Sequence, residues 1–177
     1  MLYFPKRRSI LFIPAIFIVL LSLAAPYIPH TFTLVDEPTP QFSYPALSGE
    51  VVELSALRGE VVFLNFWATW CPSCVDELPH LDALQRRFKG KLKVISVGGF
   101  RESAARLKSF LKRRPVTYPV VHLEEADLDR VVTSFGQFYQ IPQTFAIDKR
   151  GRVRQVWSER REAEELIRVA QALVDEE

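Results

Sequence analysis

Cysteine is scarce in this sequence, with only Cys71 and Cys74 among 177 residues. Histidine is almost as scarce, and His30, His80 and His122 are scattered along the chain. A structural zinc site needs four closely spaced ligands, so the sequence argues against one. A disulfide between Cys71 and Cys74 would also be a weak structural staple, because closing so short a loop gains only about 2 kcal/mol of entropy.

The chain also lacks an excess of charge of either sign. Lysine and arginine total 23 residues, against 21 aspartates and glutamates, and there is no basic stripe with interleaved aromatic residues. Nucleic acid is therefore not an expected partner. Internal repeats are absent too, which excludes solenoid folds. Hydrophobic residues make up 48% of the chain, which is enough for one globular domain with a real core.

The N-terminus carries a membrane or export signal. Residues 1–8 include Lys6, Arg7 and Arg8, which predicts a basic cytoplasmic end. Residues 9–28 form an uncharged, mostly apolar run close to the ~20 residues that cross a bilayer. We interpret this run as a transmembrane anchor, so the chain is expected to be a single-pass protein of the cell membrane. The rest of the chain should then lie on the periplasmic or extracytoplasmic side.

A cleaved export signal is the alternative interpretation of the same segment. Ser22 and Ala24 are small enough for a signal-peptidase site, although Pro26 would hinder cleavage after Ala25. Residues 29–40 are rich in proline and predict an extended tether. The folded part is expected to begin near residue 41.

The remainder of the chain alternates between strand and helix patterns. Val61–Trp67 is an apolar run of branched and aromatic residues, typical of a fully buried central strand. A helix should begin at the cysteines, continue with leucines at three- and four-residue spacing, and end at Gly90. The other predicted elements are strands at 50–54, 91–99 and 118–123, helices at 102–114, 127–135 and 162–174, and a hairpin at 144–157. This order predicts an α/β domain with a mixed sheet.

The motif Cys71-Pro72-Ser73-Cys74 should lie where the buried strand meets the N-terminus of that helix. Unpaired backbone N–H groups and the helix dipole favour a negative thiolate there. Pro72 suits the first helical position. We interpret the cysteines as a redox pair, in which Cys71 exchanges with a disulfide and Cys74 resolves the mixed disulfide.

The residues around the motif resemble a known family. The segment VVFLNFWATWCPSCVDELPHLDAL, which includes Pro79, is similar to the active-site strand and helix of the thioredoxin superfamily. Within that superfamily it most resembles the membrane-anchored TlpA-like group, which includes the cytochrome c biogenesis reductases. Further on, FYQIPQTFAIDKRGRV resembles the family's cis-proline loop and hairpin. The resemblance implies a thioredoxin-like fold over residues 41–177, with a central mixed sheet flanked by helices.

The resemblance also implies roles for individual residues. The bond between Ile141 and Pro142 should be cis, and the backbone of Ile141 should pair with a bound substrate strand. Trp70 and Pro72 should border the same substrate surface. Glu77 matches an acidic residue thought to tune the cysteines and to move protons during exchange. An ordinary first-turn acid, favoured by the helix dipole, is the alternative for Glu77.

Two positions depart from patterns in the wider superfamily. Cytoplasmic thioredoxins have a buried acid where this chain has Asn65, which makes Glu77 the better candidate for proton transfer to Cys74. A small residue often stands two positions before the cis-proline in the cytochrome-maturation branch, whereas this chain has Gln140. The choice of partner is therefore less defined than the chemistry.

The direction of electron flow is not decided by the dipeptide between the cysteines. Anchored TlpA-like proteins mostly reduce disulfides outside the cytoplasm. The resemblance therefore implies a protein-disulfide reductase for exported proteins such as apocytochrome c, recharged by an integral-membrane electron donor. The redox group would be the Cys71–Cys74 disulfide, with no separate cofactor and no metal. The alternatives are an oxidase or isomerase of exported proteins and a thiolate metal chaperone. A peroxidase fits less well, because its resolving cysteine would be distant.

Overall fold

The computed structural model describes residues 34–176. The predicted basic N-terminus and the transmembrane or signal segment at 9–28 lie outside these residues, as do residues 29–33 of the predicted tether. Within the described part, no helix is long and apolar enough to span a bilayer.

The centre of the domain is a five-stranded mixed sheet, as the order of sequence patterns predicted. Its strands follow the order β5-β4-β3-β6-β7. Strands β3, β4 and β5 are mutually parallel, whereas β6 runs antiparallel to β3 and β7 antiparallel to β6. The strands are β3 Val61–Phe66, β4 Leu92–Gly98, β5 Val120–His122, β6 Gln143–Ile147 and β7 Val153–Trp157. A separate antiparallel pair, β1 Ser43–Pro45 and β2 Val51–Glu53, precedes them.

Within residues 34–176, four α-helices cover the two faces of the sheet. They are α1 Pro72–Arg87, α2 Ala104–Arg113, α3 Glu125–Ser134 and α4 Ala163–Asp175, and a 3-10 turn spans Leu54–Leu57. Buried residues of α1, α2 and α4 form one core on one face, and those of α3 and the β1–β2 pair form a second core on the other. Phe63 belongs to the first core and Leu64 to the second. Strand β3 is therefore apolar nearly throughout, because side chains alternate between faces and both faces are covered.

Helix α1 begins at the cysteine motif, as the sequence predicted. Cys71 is the N-cap residue and Pro72 occupies the first turn, where the proline's missing N–H costs no hydrogen bond. The helix ends before Gly90, which has a φ of +80°. The path from β3 into α1 therefore places the motif at the carboxyl end of a central strand.

The first described residues lie against the β6–β7 hairpin. Leu34 is buried in the second core. The backbone N–H groups of Asp36 and Thr39 donate to the carbonyls of Val153 and Gly151, at 2.7 and 2.9 Å. Folded contacts thus begin by Leu34, before the boundary near residue 41 that the sequence suggested. Proline-rich composition predicted neither this pairing nor the turn at Asp36, whose φ is +66°.

Candidate active site

The two cysteines form a disulfide at the N-terminus of α1, with 5.3 Å between their Cα atoms. The backbone N–H of Cys74 donates to the Cys71 sulfur over 3.2 Å. Cys71 is 6% exposed, whereas Cys74 is 1% exposed. An incoming thiol or disulfide therefore meets Cys71 first, and Cys74 is placed to resolve. In the reduced protein, the same N–H group and the helix N-terminus would stabilise a thiolate on Cys71.

The loop before β6 faces this disulfide. The Ile141–Pro142 peptide bond is cis, as predicted. The carbonyl oxygen of Ile141 lies 3.8 Å from the Cys71 sulfur. Gln140, the residue that differs from the cytochrome-maturation pattern, tethers the same loop to the segment after β7. Its side-chain amide donates to the carbonyl of Ser158 over 3.0 Å. The structure thus brings Cys71 next to Ile141 and Pro142, although Cys71 precedes Ile141 by 70 residues in the sequence.

Trp70 stands at the rim of the site. It is 47% exposed, and its indole N–H donates to the carbonyl of Phe100 over 2.7 Å. Trp67, in contrast, is fully buried in the core, as expected. Two grooves flank Trp70. The α3 groove, of about 600 Å³, is lined by Trp70, Phe100, Arg101, Leu128, Asp129, Val132, Thr133, Gln137, Phe138, Tyr139 and Ile141. The α2 groove, of about 420 Å³, is lined by Thr69, Trp70, Pro72, Val75, Asp76, Phe110, Arg113 and Arg114.

Glu77 is fully buried beneath the cysteines on α1. Burial raises its pKa to about 7, although the backbone N–H of Arg161 and nearby cationic side chains lower it in part. Arg161 N–H donates to one carboxylate oxygen over 2.8 Å, and the Asn65 amide donates to the other over 3.2 Å. The alternative of an ordinary first-turn acid is wrong, because Glu77 lies beyond the first turn and out of solvent. Its spacing from Cys74 places both side chains on the same face of α1.

Asn65 links Glu77 to the centre of the sheet. Its side-chain amide also donates to the Thr144 hydroxyl over 3.0 Å, and the Ser96 hydroxyl donates to its carbonyl oxygen over 3.4 Å. Asn65 therefore orients Glu77 through a neutral buried network, whereas an acid at this position would repel a Glu77 carboxylate.

Sequence reasoning missed Glu102, which supports the segment before Cys71. Its side chain is wholly buried, and one carboxylate oxygen accepts the backbone N–H of Thr69 over 3.0 Å. The other oxygen accepts the Thr69 hydroxyl, and Arg106 donates to that hydroxyl over 3.1 Å. The sequence placed Glu102 in a helix that in fact begins at Ala104, capped by Ser103. The available signal was the Ser103 cap, which leaves Glu102 outside the helix.

Glu102→Gln should loosen this segment. The change keeps an acceptor for Thr69 N–H but presents an NH₂ group to the hydroxyl and to Arg106. We expect the free energy of unfolding to fall by about 1–2 kcal/mol. The control is Glu124→Gln, because Glu124 is exposed and should change stability by less than about 0.5 kcal/mol. Urea titrations of both variants measure the difference, and equal stabilities would contradict the role of Glu102.

Among residues 34–176, no three histidine, cysteine, aspartate or glutamate side chains are grouped closely enough to hold a metal ion. His80 and His122 instead lie near backbone carbonyls, those of Arg161 and Glu102, at 3.1 and 3.0 Å.

Comparison with known proteins agrees with this fold and motif. A family model described as the AhpC/TSA family matches residues 35–156. The chain belongs to that family. The matched range runs from the first described residues to β7, so it includes the cysteines, Glu77 and the cis-proline loop.

Several relatives of this AhpC/TSA chain are named for disulfide chemistry. The chain is 36% identical to the thiol-disulfide oxidoreductase ResA of Bacillus subtilis over 64% of its own length and 62% of the relative's. It therefore spans less than two thirds of that relative. It is 33% identical to ResA of Geobacillus kaustophilus over 85% of its own length and 88% of the relative's. A thiol:disulfide interchange protein of Chlorobium tepidum superposes with a TM-score of 0.70 at 26% identity, covering 77% of this chain and 95% of that one.

Proposed function

We propose that this chain is a thiol-disulfide oxidoreductase that acts outside the cytoplasm and reduces disulfides in exported proteins, apocytochrome c among them. The main support is the Cys71–Cys74 disulfide at the start of α1, with Cys71 facing the cis-proline loop and Cys74 buried. The names of the relatives agree with the chemistry. The basic, apolar N-terminal sequence supports a site outside the cytoplasm.

The exchange has two steps. In the reduced protein, the Cys71 thiolate attacks one sulfur of the substrate disulfide, forms a mixed disulfide and displaces one substrate thiolate. Cys74 then attacks the Cys71 sulfur, displaces the second substrate thiolate and closes the Cys71–Cys74 disulfide. Two electrons pass to the substrate, and an integral-membrane electron donor would return the protein to the dithiol form.

Glu77 is the candidate acceptor of the proton that leaves Cys74 in the second step. A carboxyl with a pKa of about 7 can accept or release a proton at neutral pH. The Ile141 backbone, exposed Trp70 and Pro72 supply the substrate surface around Cys71. Ile141 would pair with an extended substrate segment, while Trp70 and Pro72 would pack against it.

A Cys74→Ser variant, expressed in its own host, tests this function. Because a serine hydroxyl cannot resolve the mixed disulfide, we expect clients to accumulate covalently on Cys71 and to separate from it on reduction. Apocytochromes among the trapped proteins would support the proposed client class, whereas general secreted proteins alone would contradict it. The control is Cys71→Ser, which lacks the attacking thiol and should trap far less.

The redox state in cells tests the direction of electron flow. A reductase should be held mainly as the dithiol, which alkylation with a mass-tagged reagent detects. A dominant disulfide form, with a potential near the roughly −120 mV of strong oxidants, would favour the oxidase or isomerase alternative. Stoichiometric Cu(I) binding without disulfide-reductase activity would instead favour a metal chaperone.

A further inference from the structure

The surface on the α2 side of Cys71 is strongly cationic. Six basic residues lie between positions 101 and 114. They are Arg101, Arg106, Lys108, Lys112, Arg113 and Arg114, and all of them are exposed, although Arg101, at the start of the segment, lines the α3 groove. The same segment contains one acid, Glu102, whose buried carboxylate is taken up by Thr69. This face therefore presents positive charge with no exposed carboxylate of its own segment to offset it.

The α2 groove joins that charge to an apolar floor beside the cysteines. Trp70, Val75 and Phe110 supply apolar surface, and the charged lining residues are Arg113, Arg114 and one exposed acid, Asp76. Arg113 donates to the Ser109 hydroxyl over 3.0 Å, and the Arg114 guanidinium lies 5.8 Å from the centre of the Phe110 ring. Within the described part of the chain, these partners are neutral. Both guanidinium charges thus stay available to a ligand.

The opposite side of the site has the reverse charge. Helix α3 and the residue before it carry four acids, Glu124, Glu125, Asp127 and Asp129. Their basic neighbour Arg130 is paired with Asp127 at 2.7 Å. Of these acids, Asp129 lines the α3 groove, together with one cation, Arg101, whereas two arginines and one acid, Asp76, line the α2 groove. An acidic ligand would therefore be favoured on the α2 side of Cys71 over the α3 side.

We propose that the α2 groove docks an acidic segment of the proteins whose disulfides Cys71 exchanges. This inference rests on the proposed function. The apolar floor would contact apolar side chains of the segment, and Arg113 and Arg114 would pair with its carboxylates. An anionic membrane surface matches the charge alone, because a flat lipid surface cannot enter a concave groove beside Trp70. A peptide segment matches both the charge and the shape.

Binding of model peptides to the disulfide form tests the docking without any redox step. The probes are two fluorescein-labelled, cysteine-free peptides with the same apolar centre, one flanked by glutamates and the other by lysines. At an ionic strength of about 0.01 M, fluorescence anisotropy should show at least roughly tenfold tighter binding of the acidic peptide. At about 1 M, where the Debye length is about 3 Å, the preference should vanish.

A matched pair of variants separates the groove from overall charge. Arg113→Gln with Arg114→Gln should weaken binding of the acidic peptide roughly fivefold and leave the basic peptide unchanged or better bound. Arg87→Gln with Lys89→Gln removes the same charge from exposed positions at and just beyond the C-terminus of α1, about 20 Å along the helix from Pro72, and should change binding less than twofold. Equal losses in the two variants would overturn the proposal.

The reduced protein adds an exchange measurement. Each peptide is given one cysteine, joined by a disulfide to thionitrobenzoate. The dithiol reduces this bond with two electrons and releases the peptide thiolate and coloured thionitrobenzoate. Faster release from the acidic peptide, lost in Arg113→Gln with Arg114→Gln, supports docking, and equal rates overturn it. No release from either peptide would refute the proposed function, and the binding measurement would still decide the docking.

Anionic vesicles test whether the basic residues beside Cys71 bind a membrane surface instead of a peptide. Sedimentation with phosphatidylglycerol vesicles measures lipid binding by the same variants. Binding that needs Arg113 and Arg114, together with no preference for the acidic peptide, would overturn the peptide proposal and assign the cations to a membrane surface. Vesicle binding that is equal in the two variants, with the peptide preference intact, supports the groove as a peptide site.

Discussion

Glu77→Gln is expected to stabilise the disulfide form of the protein at alkaline pH by up to about 3 kcal/mol and to change it little at acid pH. The pKa of Glu77 is about 7 in the folded chain, against 4.5 for the free side chain. As the pH rises from 4.5 to 7, the unfolded chain loses this proton before the folded chain does. Folding stability falls over that window by about 1.4 kcal/mol per pH unit and changes no further above it.

Glutamine removes this pH dependence because it does not ionise. Like protonated Glu77, it keeps one oxygen acceptor for the Arg161 N–H, and its donor group replaces the oxygen that accepts from Asn65, so the Asn65 amide must turn its carbonyl oxygen toward it. Urea titrations at about pH 4.5 and about pH 8 measure the effect, with Asp76→Asn as the control, since Asp76 is the exposed neighbour on α1. The control should change stability by less than about 0.5 kcal/mol at both pH values. A loss of stability in Glu77→Gln at the higher pH would contradict a charge penalty at this site.

The same substitution should change the kinetics of exchange. If Glu77 accepts the proton of Cys74, the resolution step of Glu77→Gln should slow by roughly 100-fold near pH 7. The pH profile of this rate should also lose its inflection near pH 7, whereas a purely structural role for Glu77 would leave the inflection in place. Stopped-flow Trp fluorescence across a pH range of about 5 to 9 follows this step. An unchanged pH profile of the resolution rate would show that Glu77 does not accept the proton of Cys74.

Phe66→Ala should cause the largest loss of stability, about 4 kcal/mol. Phe66 is fully buried at the end of β3. Its ring centre lies 4.9 Å from that of Phe138, 5.8 Å from Phe135, 5.9 Å from Phe145 and 6.5 Å from Phe100. Removing the ring forfeits its transfer free energy and leaves a cavity that these rigid neighbours cannot close.

Tyr139→Ala is the matched control, because it deletes an aromatic ring that is 88% exposed. Calorimetry should show a melting temperature lower by roughly 10 °C for Phe66→Ala and nearly unchanged for Tyr139→Ala. Since Phe100 and Phe138 also line the α3 groove, the cavity should weaken the wall of that groove. A loss below about 1 kcal/mol for Phe66→Ala would show that the aromatic cluster relaxes around the deletion.

Much of the fold follows from local pattern. The apolar run of β3 predicted a strand covered on both faces, and the buried strand has core residues on each side. Pro72 and the leucine spacing predicted a helix starting at the cysteines. The resemblance supplied the cis bond at Pro142, which no local pattern would have predicted. These features depend on a few neighbouring residues or on a recognisable motif, so they can be predicted from the sequence.

The site depends on contacts that sequence spacing does not show. The neighbours of Glu77, Asn65 and Arg161, lie 12 and 84 residues away, and burial among them raises the pKa of a carboxyl that the helix dipole alone would lower. Glu102 looked like part of a helix, yet it turns inward to Thr69, 33 residues earlier. Such pairings arise only when the sheet brings distant segments together.

The sequence by itself determined the chemistry, because a Cys-x-x-Cys pair at a strand–helix junction needs only adjacent residues to place two thiols at a helix N-terminus. It also determined the layered α/β order, through hydrophobic periodicity. Only the tertiary structure decided the titration of Glu77, the support of Trp70 and Thr69, and the difference in charge between the two sides of Cys71. Burial and charge are properties of surfaces, and these surfaces are assembled from segments that meet only in the folded chain.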